Sequence, residues 1–157
     1  MTKLFKFFLA ICLIKKKIEM NIINNKLDKI DKTILIVDDN PDYLKEMEEV
    51  VGSFGFKTII ANGQKKAEEI LEHTKPDLAI YDLVMEKDDS GFILSYRTKK
   101  KYPNLPIIMI SAVTSKRGMT FSLDTKLEKQ WIKADVFLPK GIRYDQLHRE
   151  IEKLLKM

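Results

Sequence analysis

The chain has 157 residues, 45 % hydrophobic and 32 % charged, which suits one domain with a single sizeable core and excludes low-complexity and fibrous classes. All of the net charge of +5 lies in residues 1–32, eight lysines against three acids; residues 33–157 balance 20 basic against 20 acidic side chains, so no nucleic-acid face is expected. A single cysteine, Cys12, excludes an internal disulfide and a cysteine-based metal site and fits a reducing cytoplasm.

Residues 1–32 read as a leader to the domain. The apolar stretch from Leu4 to Ile14 is interrupted by Lys6 and falls short of the roughly 20 apolar residues that a bilayer-spanning helix needs. Lys15, Lys16 and Lys17 follow directly, where a signal peptide would show a small-residue cleavage site. Two readings of residues 1–19 remain: a basic amphipathic membrane anchor, or a stretch upstream of a translation start at Met20. The second is taken as the expectation, and no membrane partner is expected. Asn21 to Lys32 reads as a short polar connection to the first strand.

From Thr33 onward two periodicities alternate. Thr33–Asp38 is a short run of branched apolar residues, the pattern of a fully buried strand. Asn40-Pro41-Asp42 then supplies an N-cap, a proline at the first helical position and an acid in the first turn. Leu44, Met47, Val50 and Val51 follow at helical spacing, and Gly52 to Gly55 closes that helix. Phe56–Ala61 predicts a second strand and Gly63 to His73 a second helix. The third strand, LAIYD, ends on Asp82, and a helix over Gly91–Lys101 stops at Tyr102-Pro103. Leu105–Ser111 predicts a fourth strand, Asp135–Leu138 a fifth, and Arg143–Lys156 a last helix. His73 and His148 show no partner pattern and read as surface residues.

Near-continuous apolar strands separated by helices predict an α/β domain with a five-stranded parallel sheet, doubly wound, with helices on both faces. Right-handed crossovers then bring the carboxyl ends of the strands to one edge, where sites form. Asp38 and Asp39 follow the first strand, Asp82 ends the third and Ser111 the fourth, so all four belong at that edge. Turns favour aspartate, so each acid alone has an ordinary explanation. Three carboxylates converging on one crevice need a counter-charge, and hard oxygen ligands select Mg²⁺. A carboxylate beside Mg²⁺ is also placed to attack a phosphoryl group.

Four segments in order, ILIVDD, YDLVM followed by a glycine nine residues after its Asp, PIIMISA and ADVFLPK, resemble the receiver domain of two-component response regulators. The resemblance runs from about Thr33 to the C-terminus and extends to single-domain chemotaxis-type regulators. It implies the flavodoxin-like strand order 2-1-3-4-5 over a domain at 33–157, and Asp82 as the phosphoacceptor. It also implies Mg²⁺ on Asp39 and Asp82, with Asp38 acting through water or as an electrostatic partner and the Val84 carbonyl as a further ligand. On the same match Ser111 is the switch hydroxyl, Phe137 the switch aromatic and Lys140 the phosphate-pairing lysine. Val84 and Val113 would flank the path of the hydrolytic water, so slow self-dephosphorylation is expected. Partners would be a histidine kinase or phosphotransfer protein and an unidentified output protein, with a homodimer as another route. The reading is of a stand-alone cytoplasmic regulator, not an enzyme, because only one helix follows the fifth strand.

The chain departs from that pattern at three places. Glu86 stands where proline is usual, in a loop that is one residue longer. Gly141 follows Lys140 in place of proline, which removes a cis Lys-Pro bond and offers backbone freedom instead. The segment between Ser111 and Phe137 is extended, so a short, altered fourth helix is expected, beginning near Ser122–Asp124. A pseudo-receiver that binds constitutively is the alternative reading. A Mg²⁺-dependent aspartyl phosphatase would want an acid at Val84. A flavin-binding relative would want a Ser/Thr/Gly-rich loop where this chain has DDNPDYL.

Overall fold

The structure, a computed structural model, describes residues 3–112 and 133–157. Five strands form one parallel sheet: β1 Thr33–Val37, β2 Lys57–Ala61, β3 Leu78–Asp82, β4 Ile107–Ser111 and β5 Val136–Pro139. Their order is β2-β1-β3-β4-β5, as the family resemblance implied. Five helices are described: α1 Lys3–Asp31, α2 Pro41–Ser53, α3 Gln64–His73, α4 Ser90–Lys101 and α5 Tyr144–Leu155. The short helix expected near Ser122–Asp124 and the lifetime residue Val113 lie outside the described residues.

Strand alternation divides the core in two. Ile34, Ile36, Leu78, Ile80, Ile108 and Ile110 face Leu44, Met47 and Val51 of α2 and Leu147 and Ile151 of α5. Leu35, Val37, Ala79, Tyr81 and Ile107 face Ala67 and Leu71 of α3 and Leu94 of α4. Both faces are buried, which is why the strands read as unbroken apolar runs. Each buried Ile or Leu contributes roughly 1.5–3 kcal/mol. The Tyr81 hydroxyl is satisfied inside this second layer by Thr98 Oγ1 at 2.9 Å.

Within the N-terminal leader, Lys3–Asp31 is one continuous α-helix of 29 residues, an element that the sequence reading did not assign. It contains no glycine or proline to stop it, and an exposed helix carries no burial periodicity by which a sequence reading finds it. Every described side chain before Lys29 is exposed. Lys29 is the anchor, with its Nζ 2.6 Å from Glu152 Oε1, 3.1 Å from His148 Nε2 and 5.8 Å from the centre of the Phe56 ring. His148 is therefore not the surface residue expected. It is half-buried and stacks on Phe54 at 4.3 Å, and burial together with the Lys29 charge lowers its pKa. Because the anchor sits in the last turn, a chain starting at Met20 is expected to keep its melting midpoint. A drop of more than about 3 °C, the shift that roughly 1 kcal/mol gives at this size, would show that the earlier turns pack on the domain.

Candidate functional site

Parallel register sets the site. Val37 pairs with Tyr81, Asp82 with Ile110 and Ser111 with Pro139. One step past each pairing, Asp38 comes level with Asp82, and Lys140 lies just beyond Ser111. Asp38, Asp39 and Asp82 each place a carboxylate oxygen within 4.8 Å of the others. Asp38 and Asp82 are only 2 % and 6 % exposed, while Asp39 lies open to solvent. Two buried acids side by side are costly unless something positive lies between them.

Lys140 supplies part of that charge. Its Nζ lies 2.8 Å from Asp38 Oδ2 and 3.3 Å from Asp82 Oδ2. Burial works against the ammonium, but Asp38 and Asp82 outweigh it and hold the Lys140 pKa above the ordinary lysine value. One cation does not balance three carboxylates. Burial first, and the Asp38 charge second, push the Asp82 pKa up to about 6 in spite of Lys140. Asp38 Oδ1 accepts from the Asn40 backbone N–H at 2.8 Å. Oδ2 is buried and ion-paired to Lys140, and among the described residues it has no other partner. The donor set is all carboxylate, and one buried oxygen has a lone pair to spare. A hard divalent cation fits it.

Neighbouring elements hold this arrangement. Asn40 caps α2, accepting from Asp42 and Tyr43 N–H at 3.0 and 3.2 Å. That fixes the Tyr43 ring 4.6 Å below Lys140 Nζ, a cation–π contact beside the acids. Burial, then the Asp38 charge, raises the Tyr43 pKa. Tyr43 was not singled out in the sequence, because its partner Lys140 lies in a distant segment.

The loop after β3 is held from two sides. Gly91 N–H donates to the Leu83 carbonyl at 3.0 Å. Glu86 accepts from Gln64 N–H at 2.9 and 3.2 Å through its two oxygens and so caps α3. The residue before α3 is Gly63, with φ +139°, which has no side chain to do this, and a Cβ there would meet the Glu86 carboxylate. The departure at Glu86 is thus a capping device linking the loop to α3, invisible in sequence because its partner lies in another element.

Ser111 is buried at the end of β4. Phe137 is half-buried and pairs with Met109, two residues below the edge. Val84 lies half-buried in the turn after Asp82. The backbone freedom expected at Gly141 is not used, since among the described residues the positive-φ glycines are Gly55 and Gly63 and no peptide bond is cis.

Comparison with known proteins agrees with this fold. The chain is 28 % identical over 125 residues to the response regulator Rre1 of Synechocystis sp., covering 78 % of this chain and 51 % of the relative. It is 30 % identical over 123 residues to the response regulator protein PilR of Pseudomonas aeruginosa, covering 78 % and 26 %. The chain thus spans about half or less of the length of these relatives. The crystal structure of a CheY-like receiver domain from Methanospirillum hungatei superposes with a TM-score of 0.67 at 24 % identity, over 80 % of this chain and 94 % of that one. The Thermotoga maritima response regulator TrrA, solved with Mg(2+)-BeF, gives 0.65 at 25 % identity, over 78 % and 98 %. The model of the response regulator receiver domain matches residues 34–152, from the first residues of β1 into the last turns of α5, and the protein belongs to that family.

Proposed function

We propose that this chain is a phosphorylation-switched receiver that takes a phosphoryl group on Asp82 from a histidine kinase or phosphotransfer protein and signals by protein contact. Phosphorylation on aspartate and Mg²⁺ binding are general features of the family, and receivers are signalling modules rather than classical enzymes. One observation carries the reading for this chain: three carboxylates within 4.8 Å, two of them buried and bridged by Lys140 from the end of β5, two strands away from β3.

Asp39 and Asp82 would hold Mg²⁺ directly, with the Val84 carbonyl as a further ligand and Asp38 as electrostatic partner or through water. Bound there, the ion would supply positive charge to the phosphoryl oxygens and relieve the repulsion between the acids. A carboxylate oxygen of Asp82 forms the bond to phosphorus as the bond to the donor nitrogen or acyl oxygen breaks. Lys140 is a compact charge already at the site and can turn from Asp82 to the incoming phosphoryl group. Ser111 would donate its hydroxyl to that group, and Phe137 would take up the space behind it, biasing the output face.

Incubation with acetyl phosphate and Mg²⁺ should add the mass of one phosphoryl group, and omission of Mg²⁺ should prevent it. No mass gain under either condition would leave a pseudo-receiver that binds constitutively.

The lifetime of the acyl phosphate is a second expected result. Val84 offers no hydrogen bond to an attacking water, and Val113 is its counterpart two residues past Ser111. Val84→Asn combined with Val113→Glu is expected to shorten the lifetime about tenfold, about 1.4 kcal/mol of barrier. An unchanged decay after removal of the donor would defeat this assignment.

A further inference from the structure

We propose that the first half of α1 docks on an anionic lipid surface, independently of the phosphorylation reading. The observation is a helical segment with apolar side chains on every side and a lysine collar at each end. Phe7, Phe8, Leu9, Ile11, Leu13 and Ile14 are each 48–68 % exposed. At 3.6 residues per turn these six positions point around the whole circumference. A second helix in a coiled coil covers one seam and would leave most of them in water. A fluid apolar medium covers them all.

Charge selects the kind of surface. Lys3 and Lys6 lie before the apolar turns, and the consecutive Lys15, Lys16 and Lys17 sweep more than half of the helix circumference after them. No acid occurs before Glu19, so the segment from Lys3 to Ile18 is purely basic. Basic side chains beside an apolar stretch are attracted to anionic headgroups, while their alkyl stems lie along the apolar surface. The eight residues from Phe7 to Ile14 extend about 12 Å, enough to sink below the headgroups but not to span a bilayer. No helix among the described residues is long and apolar enough to cross a membrane, so attachment is to the surface. The contacts of α1 with the receiver lie in its last turn, where Lys29 pairs with Glu152 and Asp31 with Lys57, so the first half is left available to a surface.

The test uses the full chain and vesicle flotation at about 0.1 M salt. One vesicle population is phosphatidylcholine alone, and the other contains about one quarter phosphatidylglycerol. The chain is expected to partition at least tenfold more strongly onto the anionic vesicles and to be released by high salt. The triple variant Lys15→Gln, Lys16→Gln, Lys17→Gln should lose at least tenfold in partitioning. Phe7→Ser with Phe8→Ser should also lose most of the binding. All five positions are exposed, and an unchanged melting midpoint without lipid confirms that each variant is folded. Equal partitioning onto both vesicle types would overturn the proposal. So would an absence of flotation together with a sedimenting dimer that the Phe7→Ser, Phe8→Ser variant makes monomeric, because a second copy would then cover the helix.

Discussion

An Asp82→Asn variant is expected to take up no phosphoryl group and yet to be more stable than the wild type, by about 2 kcal/mol near pH 8 without divalent cation. The two effects share one cause. The wild-type carboxyl has its pKa pushed from 3.8 up to about 6, by burial first and by Asp38 second, with the Lys140 attraction already included. Each unit corresponds to about 1.4 kcal/mol, and solvent at the mouth of the site screens part of the total. A raised carboxyl pKa penalises the ionised fold. The penalty is absent below about pH 4, where the group is neutral folded or unfolded. It builds between about pH 4 and pH 6 and is complete above that. The asparagine carries no charge, so the advantage of the variant should be full at pH 8 and should disappear as the pH falls through this window.

Mg²⁺ is expected to reverse the order, because a cation held by Asp82 in the folded wild type would stabilise it by mass action and the variant would lack that ligand. Thermal melts of both proteins at about pH 8 and pH 4, with and without Mg²⁺, separate the cases. A variant that melts below the wild type at pH 8 without cation would show that Asp82 is stabilised rather than strained. Phosphoryl uptake by the variant equal to that of the wild type would remove Asp82 as the acceptor. Greater stability of the variant would mean that the site is held at a cost in stability, as expected of a group kept reactive.

The parts of this arrangement that were legible in the sequence are those fixed by burial. Ile34 to Val37, Leu78 to Tyr81 and Ile107 to Ile110 are buried on both faces, so their unbroken apolar runs marked them as parallel strands. The acids at their ends then have to share an edge, which brings Asp38, Asp39 and Asp82 together. What escaped the reading depends on contacts between distant segments. His148 stacks on Phe54 and meets Lys29, and nothing local in any of the three residues announces it. Glu86 looked like a defect in a motif and is the cap of a helix two elements earlier. The helix over residues 3–31 escaped for the opposite reason: it buries almost nothing against the domain, so no periodicity recorded it.

Gly91 joins the two kinds of information, and its replacement is expected to have the second large effect. In the sequence it is only a glycine nine residues after Asp82. In the fold, a Cβ at that position would lie 2.3 Å from the Asp82 carbonyl oxygen and 2.7 Å from both Cα and the carbonyl oxygen of Leu83. All three are backbone atoms, so no rotamer change relieves the clash. Leu83 cannot simply retreat, because its N–H donates to Ile110 O at 2.9 Å and its carbonyl accepts from Gly91 N–H at 3.0 Å. Gly91→Ala must therefore push α4 off the loop or shift the backbone at Asp82. The expected cost is about 2–4 kcal/mol, the upper range for overpacking against a part that cannot move aside. Phosphoryl uptake should slow at least tenfold even well below the melting point, since a displacement of about 1 Å at a reacting group can cost a hundredfold. Gly52→Ala is the contrast, because a Cβ there meets nothing within 4 Å on the exposed side of α2. Gly52→Ala should gain about 0.5–1 kcal/mol from helix propensity alone. If Gly91→Ala melts and reacts like the wild type, the close approach of α4 to Leu83 does not set the position of Asp82.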